Sequence, residues 1–512
     1  MGNYTYTGEM TDVAPVDVKI LNQPLTYSKS GDTWAASSDA NSVVTPLVKH
    51  TSNGGTIEAI LVPHTVESGT EFMTFTVNEI PYTITAGEDW VFEPGKCTTL
   101  KNLSISPDNA QILNVTCSVG DWHVTEASGS LTEISDGYEF VEGTYYIYYE
   151  VGLRAWRNAV DKNGALSAKL MNDITLTSDW TPFARDTETQ PAFDAVLDGN
   201  NKTISGVRYT TDWGEAGFVG VLGDGTIKNL NLVVEDFTLR ETITAKSFYI
   251  GMIAGENLNG RISGCNVILK SFTHNDKISA GYTGGIVGRN TGCVTDCTFT
   301  SECEISGFSA TGGIIGWSSN TSATTISNCH VYSMGDSRTI ITATSGTSGG
   351  IIGEMKDAGS TIEACSVDAD IKVSAGTKAL GGIIGIINNG SYTYNVNGCY
   401  YNGTLSSTTS KILAGIVGNF TATSLNITSC YSMAGWNSGN ENNVQGILGA
   451  GDSTKRTVTS CYSTTRCGTN IGTRVDAITS EQATSMNGLL TNWEYVAAPQ
   501  GNVFPFVIQP KN

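Results

Sequence analysis

Charge is scarce in this sequence, and positive charge is scarcer than negative. Of the 512 residues only 15% are Asp, Glu, Lys or Arg, and 29 Lys and Arg stand against 49 Asp and Glu, which gives a net charge of −20. Proteins that bind nucleic acids present a basic face, and anionic membrane surfaces attract clusters of Lys and Arg. Because no run of basic residues occurs, neither nucleic acid nor an anionic membrane is an expected partner.

Long apolar runs and cofactor motifs are also missing. No stretch reaches the roughly 18 apolar residues that a membrane-spanning helix needs, so we predict no transmembrane segment. The sequence has no P-loop, no dinucleotide-binding glycine motif and no CxxC pair, and its 5 histidines do not cluster with its 12 cysteines. We therefore predict no cofactor and no metal site, and we interpret segment 198–201 as a turn, with a calcium loop as the alternative.

Glycine, in contrast, is abundant, and it recurs in a pattern of Gly, two apolar residues and then Gly or Ala. The pattern begins at Gly217, Gly251, Gly285, Gly313, Gly350, Gly382, Gly415 and Gly446. The spacings between these glycines are 34, 34, 28, 37, 32, 33 and 31 residues. A motif that repeats with a period of about 20–50 residues indicates a solenoid, a propeller or a repeat array.

A second repeated motif accompanies the first. A cysteine follows each of the last seven glycines by 12–17 residues: Cys265, Cys297, Cys329, Cys365, Cys399, Cys430 and Cys461. Ile or Val lies three residues before each cysteine, and a large apolar residue lies two residues after the first five. In a strand, residues two apart share a face, so the residue at −3 faces inward only if the chain bends at −1. The small or turn-forming residues at −1 suit such a bend.

Short strands joined by bends about once per 30 residues predict a parallel β-helix with three short strands per coil. A β-propeller is the alternative, but its blades have about 40–45 residues. Stacked coils lie about 4.8 Å apart with parallel side chains, whereas disulfides need Cβ atoms about 3.5–4.5 Å apart. The seven cysteines are therefore expected to form a buried ladder of free thiols. Cys97 and Cys117 lie outside the repeat and are candidates to pair, while Cys293, Cys303 and Cys467 have no assignment.

The repeats resemble the GLUG-motif family of bacterial surface proteins. The resemblance covers roughly residues 158–463 and includes two lead-in segments, 170–176 and 193–206. It implies a β-helical arm, and it implies little about activity, because such arms occur beside many different domains.

Residues 1–127 are predicted to form a separate β domain. Strand-like runs at 16–21, 56–62, 72–77, 82–85, 99–105 and 112–119 are separated by turn residues, which is typical of an antiparallel sandwich. The segments 58–64, 92–96 and 121–122 are similar to the fimbrillin-like family of Bacteroidales surface proteins. That resemblance implies a transthyretin-like sandwich, and this chain has one where pilus subunits of the family usually have two.

The remaining boundaries follow from composition and periodicity. Residues 128–137 are small and polar and are predicted to be a linker, so the β-helix spans 138–475 and a C-terminal cap spans 476–512. An amphipathic helix at about 150–161, with Leu153, Trp156 and Val160 on one face, is expected to close the first coil. In the cap, Thr479 and Gln482 fit a helix capping box.

The fold class is thus all-β: a transthyretin-like antiparallel sandwich, then a parallel β-helix of GLUG-type repeats with short capping helices. Glycoside hydrolysis needs two carboxyl groups at a defined separation. The acidic residues of the repeats recur at no common position. We therefore predict a non-enzymatic adhesin, at the cell surface or on fimbriae. The alternative is a β-helical carbohydrate-active enzyme, a lyase or hydrolase, or a glycan-binding module.

The residue after each ladder cysteine is expected to face outward. In the last three coils this position holds Tyr400, Tyr431 and Tyr462. Exposed aromatic rings bind sugars and protein partners, so these tyrosines are the predicted ligand contacts; a stack that only stabilises the coils is the alternative. The predicted partners are a glycan or protein of a host or bacterial surface, and fimbrial subunits. The predicted location is extracellular, at the cell surface or outer membrane, with the native leader missing from this sequence.

Overall fold

The chain forms two compact units, Met1–Glu139 and Phe140–Asn512, and both are built almost entirely of β-strands. The computed structural model describes residues 2–511 except 7–14, 25–26, 31–32, 37–41, 52–53, 60, 78–79, 93–96, 106–114, 121–125, 134–135, 185–189, 212–213, 240–247, 274–280, 321, 335–336, 375–378, 389, 408–411, 439–443 and 465–470. For several strands of the first unit only the backbone is described.

The first unit is sandwich-like, as predicted, and is built around one long sheet. The order of its ten strands is Ser42–Val44, Val16–Gln23, Glu71–Val77, Ile80–Ala86, Glu126–Glu133, Val115–Gly120, Cys97–Ile105, Gly2–Tyr6, Gly54–Glu58 and Leu47–Thr51. Two two-stranded antiparallel sheets accompany it. One pairs His64–Val66 with Trp90–Phe92, and the other pairs Tyr27–Ser30 with Thr33–Ala36. Gly2–Tyr6 runs parallel to Cys97–Ile105, and the other described pairs in this unit are antiparallel.

Alternating residues of the central strands build the core of this unit. Phe72 and Phe75 of one strand are buried, and the ring of Phe75 stacks on Tyr82 of the next strand at 5.6 Å between centroids. The edge of Trp90 contacts Phe72 at a centroid distance of 5.3 Å. Phe75 shares a face of its strand with Met73, which is two residues away and also buried, whereas Phe72 lies at an irregularity in the pairing with Ile80–Ala86.

The predicted linker is wrong in its first half. Residues 126–133 form a strand that pairs with Ile80–Ala86 on one side and Val115–Gly120 on the other. Small polar residues have weak strand propensity, but two neighbouring strands with free backbone groups outweigh it. The first compact unit accordingly extends to Glu139.

The second unit is a parallel β-solenoid, and five long sheets form its walls. Sheet 1 contains Tyr138–Val141, Thr144–Ile147, Ser167–Leu170, Val196–Asp198, Thr226–Lys228, Arg261–Ser263, Cys293–Thr295, Thr325–Ser327, Thr361–Glu363, Thr393–Asn397, Ser424–Thr428 and Arg456–Thr459. Sheet 2 contains Ile174–Thr175, Thr203–Thr211, Asn231–Leu239, Asn266–Leu269, Phe272–Thr273, Thr298–Ser301, His330–Tyr332, Ser366–Asp368, Tyr400–Asn402, Tyr431–Ser432, Tyr462–Ser463 and Thr473–Arg474.

The other three sheets are shorter. Sheet 3 contains Glu304–Gly307, Ile340–Ala343, Asp370–Val373, Thr404–Ser407 and Gly435–Ser438. Sheet 4 contains Glu215–Ala216, Phe248–Gly251, Gly281–Gly284, Ala310–Gly312, Thr347–Gly349, Ala379–Gly381, Ile412–Ala414 and Val444–Gln445. Sheet 5 contains Val219–Leu222, Ala254–Asn257, Val287–Asn290, Ile315–Ser318, Ile352–Met355, Ile384–Ile387, Val417–Phe420 and Leu448–Ala450.

Each coil follows the sheets in the order 5, 1, 2, 3, 4. The coil that begins at Val287–Asn290 continues through Cys293–Thr295, Thr298–Ser301, Glu304–Gly307 and Ala310–Gly312. The parallel β-helix is therefore confirmed, but the expected three strands per coil are wrong for the coils between Val219 and Gln445, which have four or five described strands. The period alone does not reveal this, since strands of three or four residues fit several times into about 30 residues.

The bend before each ladder cysteine is a single residue in the left-handed region. The residues at this position are Gly264, Asp296, Asn328, Ala364, Gly398, Ser429 and Ser460, with φ of 62°, 55°, 51°, 55°, 62°, 55° and 47°. A residue at positive φ turns the strand of sheet 1 into the strand of sheet 2 without a loop. Non-glycine residues with positive φ are uncommon, so this column is under backbone strain that the repeated packing maintains.

The structure places all seven ladder cysteines in the interior with free thiols. Each thiol donates to the carbonyl oxygen two residues earlier, at 3.2 Å for Cys297 and 3.4 Å for Cys329. That carbonyl lies at the bend, so cysteine suits the position as a small apolar side chain with a weak donor.

The other cysteines are distributed differently. Cys293 and Cys303 are partly exposed and free. Cys97 lies opposite Gly120 and Cys117 opposite Leu100, so these two cysteines are not direct cross-strand partners. Their side chains and the whole of Cys467 lie outside the described residues, and the pairing of Cys97 with Cys117 stays a prediction.

The two repeated motifs meet across the interior of the coil. A Cβ atom on Gly350 would overlap the carbonyl oxygen of Gly382 in the next coil and would lie 2.6 Å from Cγ1 of Val367. Val367 is the apolar residue two positions after Cys365. The same relation joins Gly285 to Phe299 and Gly382 to Tyr401. Glycine is required because the apolar residue opposite already fills the space between the walls.

One of the repeat positions was assigned one residue out of register. Ala254 pairs with Val287, so Gly255 corresponds to Gly288 and Met252 occupies the place of Gly285. The expected motif at Gly251–Ala254 therefore ends at Gly255 instead. The sequence is ambiguous here because Gly251 fits the first position of the motif and Gly255 fits the last.

A helix fills the first coil, as predicted. Helix α1, Glu150–Val160, buries Leu153, Trp156 and Val160. The ring of Trp156 contacts Phe183 at 5.0 Å and Phe193 at 5.8 Å, and its Nε1 donates to the carbonyl oxygen of Leu166 at 3.0 Å. The aromatic cluster packs the end of the core, and the carbonyl oxygen of Leu166 satisfies the indole N–H.

The C-terminal segment covers a side of the solenoid, where a lid on its end was expected. The segment contains helix α2 at Ser480–Asn487 and the antiparallel strands Trp493–Ala497 and Phe506–Pro510, while a 3₁₀ turn at Ser453–Lys455 belongs to the last coil. The backbone N–H of Thr479 donates to Oε1 of Gln482 at 3.0 Å, as the capping box predicts. Helix and strands pack together against sheet 2. We name residues 479–510 the lateral cap.

The glycine column yields a first prediction. In Gly350→Ala, the added methyl group has to displace backbone and Val367, and we expect the free energy of unfolding to fall by about 3 kcal/mol. In the matched control Gly435→Ala, the nearest atoms lie 3.8 Å away, so little change is expected. Urea unfolding followed by circular dichroism measures both variants, and equal midpoints would contradict the packing described.

The cysteine ladder yields a second prediction. Burial raises the pKa of the Cys329 thiol well above its usual value, which leaves little reactive thiolate. We expect iodoacetamide to modify Cys293 and Cys303 in the native chain and the ladder cysteines only after denaturation. Peptide mass spectrometry identifies the labelled sites. Rapid native labelling of Cys329 or Cys365 would show that the ladder is accessible.

Candidate functional site

The predicted tyrosine contacts lie on the outer wall, but the lateral cap covers them. Tyr400 is 2% exposed and Tyr431 is 0% exposed, whereas Tyr462 is partly exposed. The expectation that all three tyrosines face solvent is therefore wrong for Tyr400 and Tyr431. Both side chains pack against residues 479–510 on the outside of the coil, and the sequence motif contains no sign that this segment folds back onto the wall.

The tyrosines are bound into the interface between wall and cap. The rings of Tyr400 and Tyr431 stack at 5.1 Å between centroids with 12° between their planes, and the edge of Phe504 contacts Tyr400 at 4.7 Å. The hydroxyl of Tyr431 donates to the carbonyl oxygen of Phe506. Burial raises the pKa of Tyr431 well above its usual value, so the phenol stays protonated. This geometry supports the stabilising alternative for these tyrosines.

His330 occupies the same outward column two coils before Tyr400. Its Nδ1 lies 2.7 Å from Oγ of Ser366 and its Nε2 lies 3.0 Å from Oδ1 of Asn328. The neutral ring satisfies both contacts when Nε2 donates and Nδ1 accepts. Burial lowers the pKa of His330 to about 4, and the charge of Asp296 opposes that shift only in part.

A different cluster of aromatic and charged side chains lies where sheets 4 and 5 meet. The second glycine of each motif lies against the backbone of sheet 4 in the preceding coil; a Cβ on Gly316 would lie 2.7 Å from the nitrogen of Thr283, and one on Gly353 would lie 2.7 Å from that of Thr311. The outer faces of the two sheets therefore close tightly on each other. We name this junction the crease.

Six side chains of four successive coils line the mouth of the crease. Sheet 5 contributes one column and sheet 4 the other: Glu256, Arg289, Trp317 and Glu354, and Tyr249 and Tyr282. We name these six residues the crease cluster. The tyrosines, Arg289 and Trp317 are partly exposed, while the glutamates are 8% and 7% exposed.

The rings of the crease cluster stack along the solenoid. Tyr249 and Tyr282 lie 5.9 Å apart between centroids, and Trp317 stacks on Tyr282 at 4.8 Å with 23° between the planes. The guanidinium of Arg289 lies 5.6 Å from the ring of Tyr249 and 5.2 Å from that of Trp317. Cations favour such positions because aromatic faces carry partial negative charge.

The polar groups of the cluster are held in a dry environment. Arg289 forms an ion pair with Glu256, and Nδ2 of Asn388 donates to Oε1 of Glu354 at 3.1 Å. Burial raises the pKa of Glu256, although the charge of Arg289 opposes this. Nε1 of Trp317 is covered and has no hydrogen-bond partner. An unsatisfied buried donor costs about 1–3 kcal/mol, so the cluster retains unused hydrogen-bonding capacity.

Sequence reasoning missed the crease cluster because it followed the cysteine column. The signal lies directly after the second motif glycine, where Arg289 follows Gly288, Trp317 follows Gly316 and Glu354 follows Gly353. When the residue after the glycine is large or charged in several successive coils, that position is expected to lie on an outer wall. The tyrosines of sheet 4 lie six residues before the second motif glycine, Tyr249 before Gly255 and Tyr282 before Gly288, but the other coils have no aromatic residue at this position.

The described part of the chain contains no group of three or more His, Cys, Asp or Glu side chains placed to hold a metal ion. At segment 198–201, Asn200 and Asn201 have positive φ and Asp198 accepts from the backbone of Asn200 at 2.9 Å, which is the geometry of a turn. Among the described residues, no helix has the length and hydropathy to cross a bilayer.

Comparisons with known proteins give one family match. A family model described as Fimbrillin-like matches residues 3–122, which is less than a quarter of the chain and lies within the first compact unit. This match indicates a protein associated with fimbriae or the cell surface. No curated protein matches the chain.

Two solved structures resemble the chain distantly. A crystal structure named "putative immunoglobulin A1 protease", from Bacteroides ovatus, is 18% identical, with a TM-score of 0.41, over 72% of this chain and 92% of its own. A structure named "IgA1 Protease" is 11% identical, with a TM-score of 0.35, over 91% of this chain and 29% of its own. TM-scores and identities this low assign neither an activity nor a substrate to this chain.

We expect the partly buried His330 to reduce the stability of the folded protein in acid. Because its folded-state pKa is about 4 and its unfolded value is about 6.5, the unfolded state binds more protons as the pH falls through this window. The expected loss from this residue is on the order of 3 kcal/mol, and it is complete below pH 4. His330→Gln should lose less stability than the wild type between pH 7 and 4 in urea titrations; parallel losses would contradict the shift.

Proposed function

We propose that this chain is a non-enzymatic adhesin of the bacterial surface, in which the solenoid presents a binding face. The Fimbrillin-like match of residues 3–122 supports attachment to the surface or to fimbriae. The GLUG-type character of the repeats and an outer-membrane location belong to this proposal. Glycans or proteins of a host or bacterial surface are the proposed ligands, with fimbrial subunits as partners of the first unit.

The crease cluster is the observation that carries the proposal. It presents three aromatic rings, a guanidinium and two carboxylates on one outer wall, and four of the six side chains are partly exposed. Aromatic residues and arginine dominate the energetics of binding surfaces because they combine apolar area with directed hydrogen bonds. The lateral cap buries Tyr400 and Tyr431 of the competing tyrosine column, whereas Tyr462 is partly exposed.

The pairing of the acidic residues supports a role without catalysis. Glu256 is held by Arg289, Glu354 by Asn388, and Asp368 and Asp370 by Arg338. A catalytic carboxyl has to reach its substrate and exchange a proton. Carboxylates that already accept structural hydrogen bonds suit the bracing of a wall better than acid–base chemistry.

Binding by the full chain tests the proposal. On an array of glycans and host surface proteins, we expect Trp317→Ala to weaken binding at least ten-fold, because it removes the central ring of the cluster. The matched control Trp436→Ala removes an indole that is 38% exposed on sheet 3 and should leave binding unchanged. Loss of binding in Trp436→Ala with retention in Trp317→Ala would refute the proposed face.

The same array tests the absence of catalysis. Ligands recovered after prolonged incubation with the chain should have unchanged masses. Released fragments, detected by mass spectrometry and absent from incubations with heat-denatured chain, would support the carbohydrate-active enzyme instead.

A further inference from the structure

We propose that the crease cluster binds a neutral glycan, one that carries neither carboxylate nor sulfate groups. This inference rests on the proposed function, since it names the ligand class of the same face. It follows from the charge balance of the cluster, from the cation that the chain already places there, and from the polar groups that remain.

The charge balance disfavours anionic ligands. Glu256 and Glu354 of the cluster oppose the single guanidinium of Arg289, and Glu215 lies beside Tyr249 in the neighbouring coil of sheet 4. The whole chain has a net charge of −20, which repels anions before they arrive. Sialylated, sulfated or uronate-rich glycans would place further negative charge beside Glu256 and Glu354, whose carboxylates are already poorly solvated.

The cluster also lacks a place for a cationic ligand. The favourable position over the aromatic faces is taken by Arg289, which lies within 5.6 Å of Tyr249 and 5.2 Å of Trp317. The same guanidinium neutralises Glu256. A lysine or arginine of a partner protein would have to displace this residue and leave its charge unpaired, which is costly in a desolvated site.

The remaining groups match the hydroxyls of a sugar. Burial raises the pKa of Tyr249 and Tyr282, so both phenols remain protonated and able to donate and accept. The ring of Trp317 is partly exposed and offers an apolar surface on which a sugar ring can pack. Ring edges with hydroxyls beside carboxylates combine apolar contact with hydrogen bonding, as a sugar ring requires.

The experiment is a titration of the full chain with defined probes, measured by isothermal titration calorimetry, so that the replacement of Trp317 does not remove the signal. The probes are neutral hexose and N-acetylhexosamine oligosaccharides, their sialylated and sulfated counterparts, and a Lys- and Arg-rich peptide. We expect affinity for at least one neutral oligosaccharide, at least ten-fold weaker for its sulfated form. Trp317→Ala should abolish this affinity, and Trp436→Ala should preserve it.

Tyr282→Phe keeps the ring and removes only the hydroxyl, so it guards against a folding defect in Trp317→Ala. With the urea midpoint unchanged, it should weaken neutral-glycan binding about three- to ten-fold. If only anionic glycans or the basic peptide bind, and Trp317→Ala removes that binding, the inference is overturned while the proposed function stands. If no binding depends on Trp317, both are overturned.

Discussion

The close approach of backbone and side chain across each coil determines the rest of the solenoid. At Gly285, Gly350 and Gly382 the space for a side chain is already filled by the apolar residue two positions after the ladder cysteine. The wall that contains the glycines and the wall that contains the cysteines are therefore tied in sequence as well as in space. A large residue on one side demands glycine on the other, and the same pairing recurs between Gly313 and Val331 because the strands are in register.

The second glycine of the motif determines the outer surface where sheets 4 and 5 meet. The second motif glycine lets sheet 5 lie against the backbone of sheet 4, so the crease is narrow and its floor has no side chains. Side chains directly beyond the glycine consequently collect at the mouth. In the coils that contain Glu256, Arg289, Trp317 and Glu354 these residues are charged or aromatic, whereas Ile386 and Asn419 follow in the same column. The proposed binding face is thus a local elaboration of a position that the fold creates in all coils.

Much of this architecture was predictable from the sequence, and the failures have physical reasons. Period, bend and inward columns were recovered because each depends on residues close in sequence: the small residues before the cysteines take positive φ, and helix α1 buries its predicted face. The strand at Glu126–Glu133 was missed because its pairing with Ile80–Ala86 and Val115–Gly120 is long-range and its own propensity is weak. The covering of Tyr400 and Tyr431 was missed for the same reason, since contacts between residues up to 75 positions apart decide it. The crease cluster required the register between coils, which a single motif does not supply.

The lateral cap has a mechanical consequence. Stacked coils pulled from the C-terminal end ordinarily peel away one after another, because each coil holds only its neighbours. Here the hydroxyl of Tyr495 donates to the carbonyl oxygen of Ser429, and Oγ of Ser429 donates to the carbonyl oxygen of Met486. The cap also packs on Ala364 and Tyr400 in earlier coils. Tension on the chain terminus is therefore shared by several coils at once and loads the cap in shear. We therefore expect the cap and the coils that it covers to separate together under load, where coils without such a cap would separate one at a time.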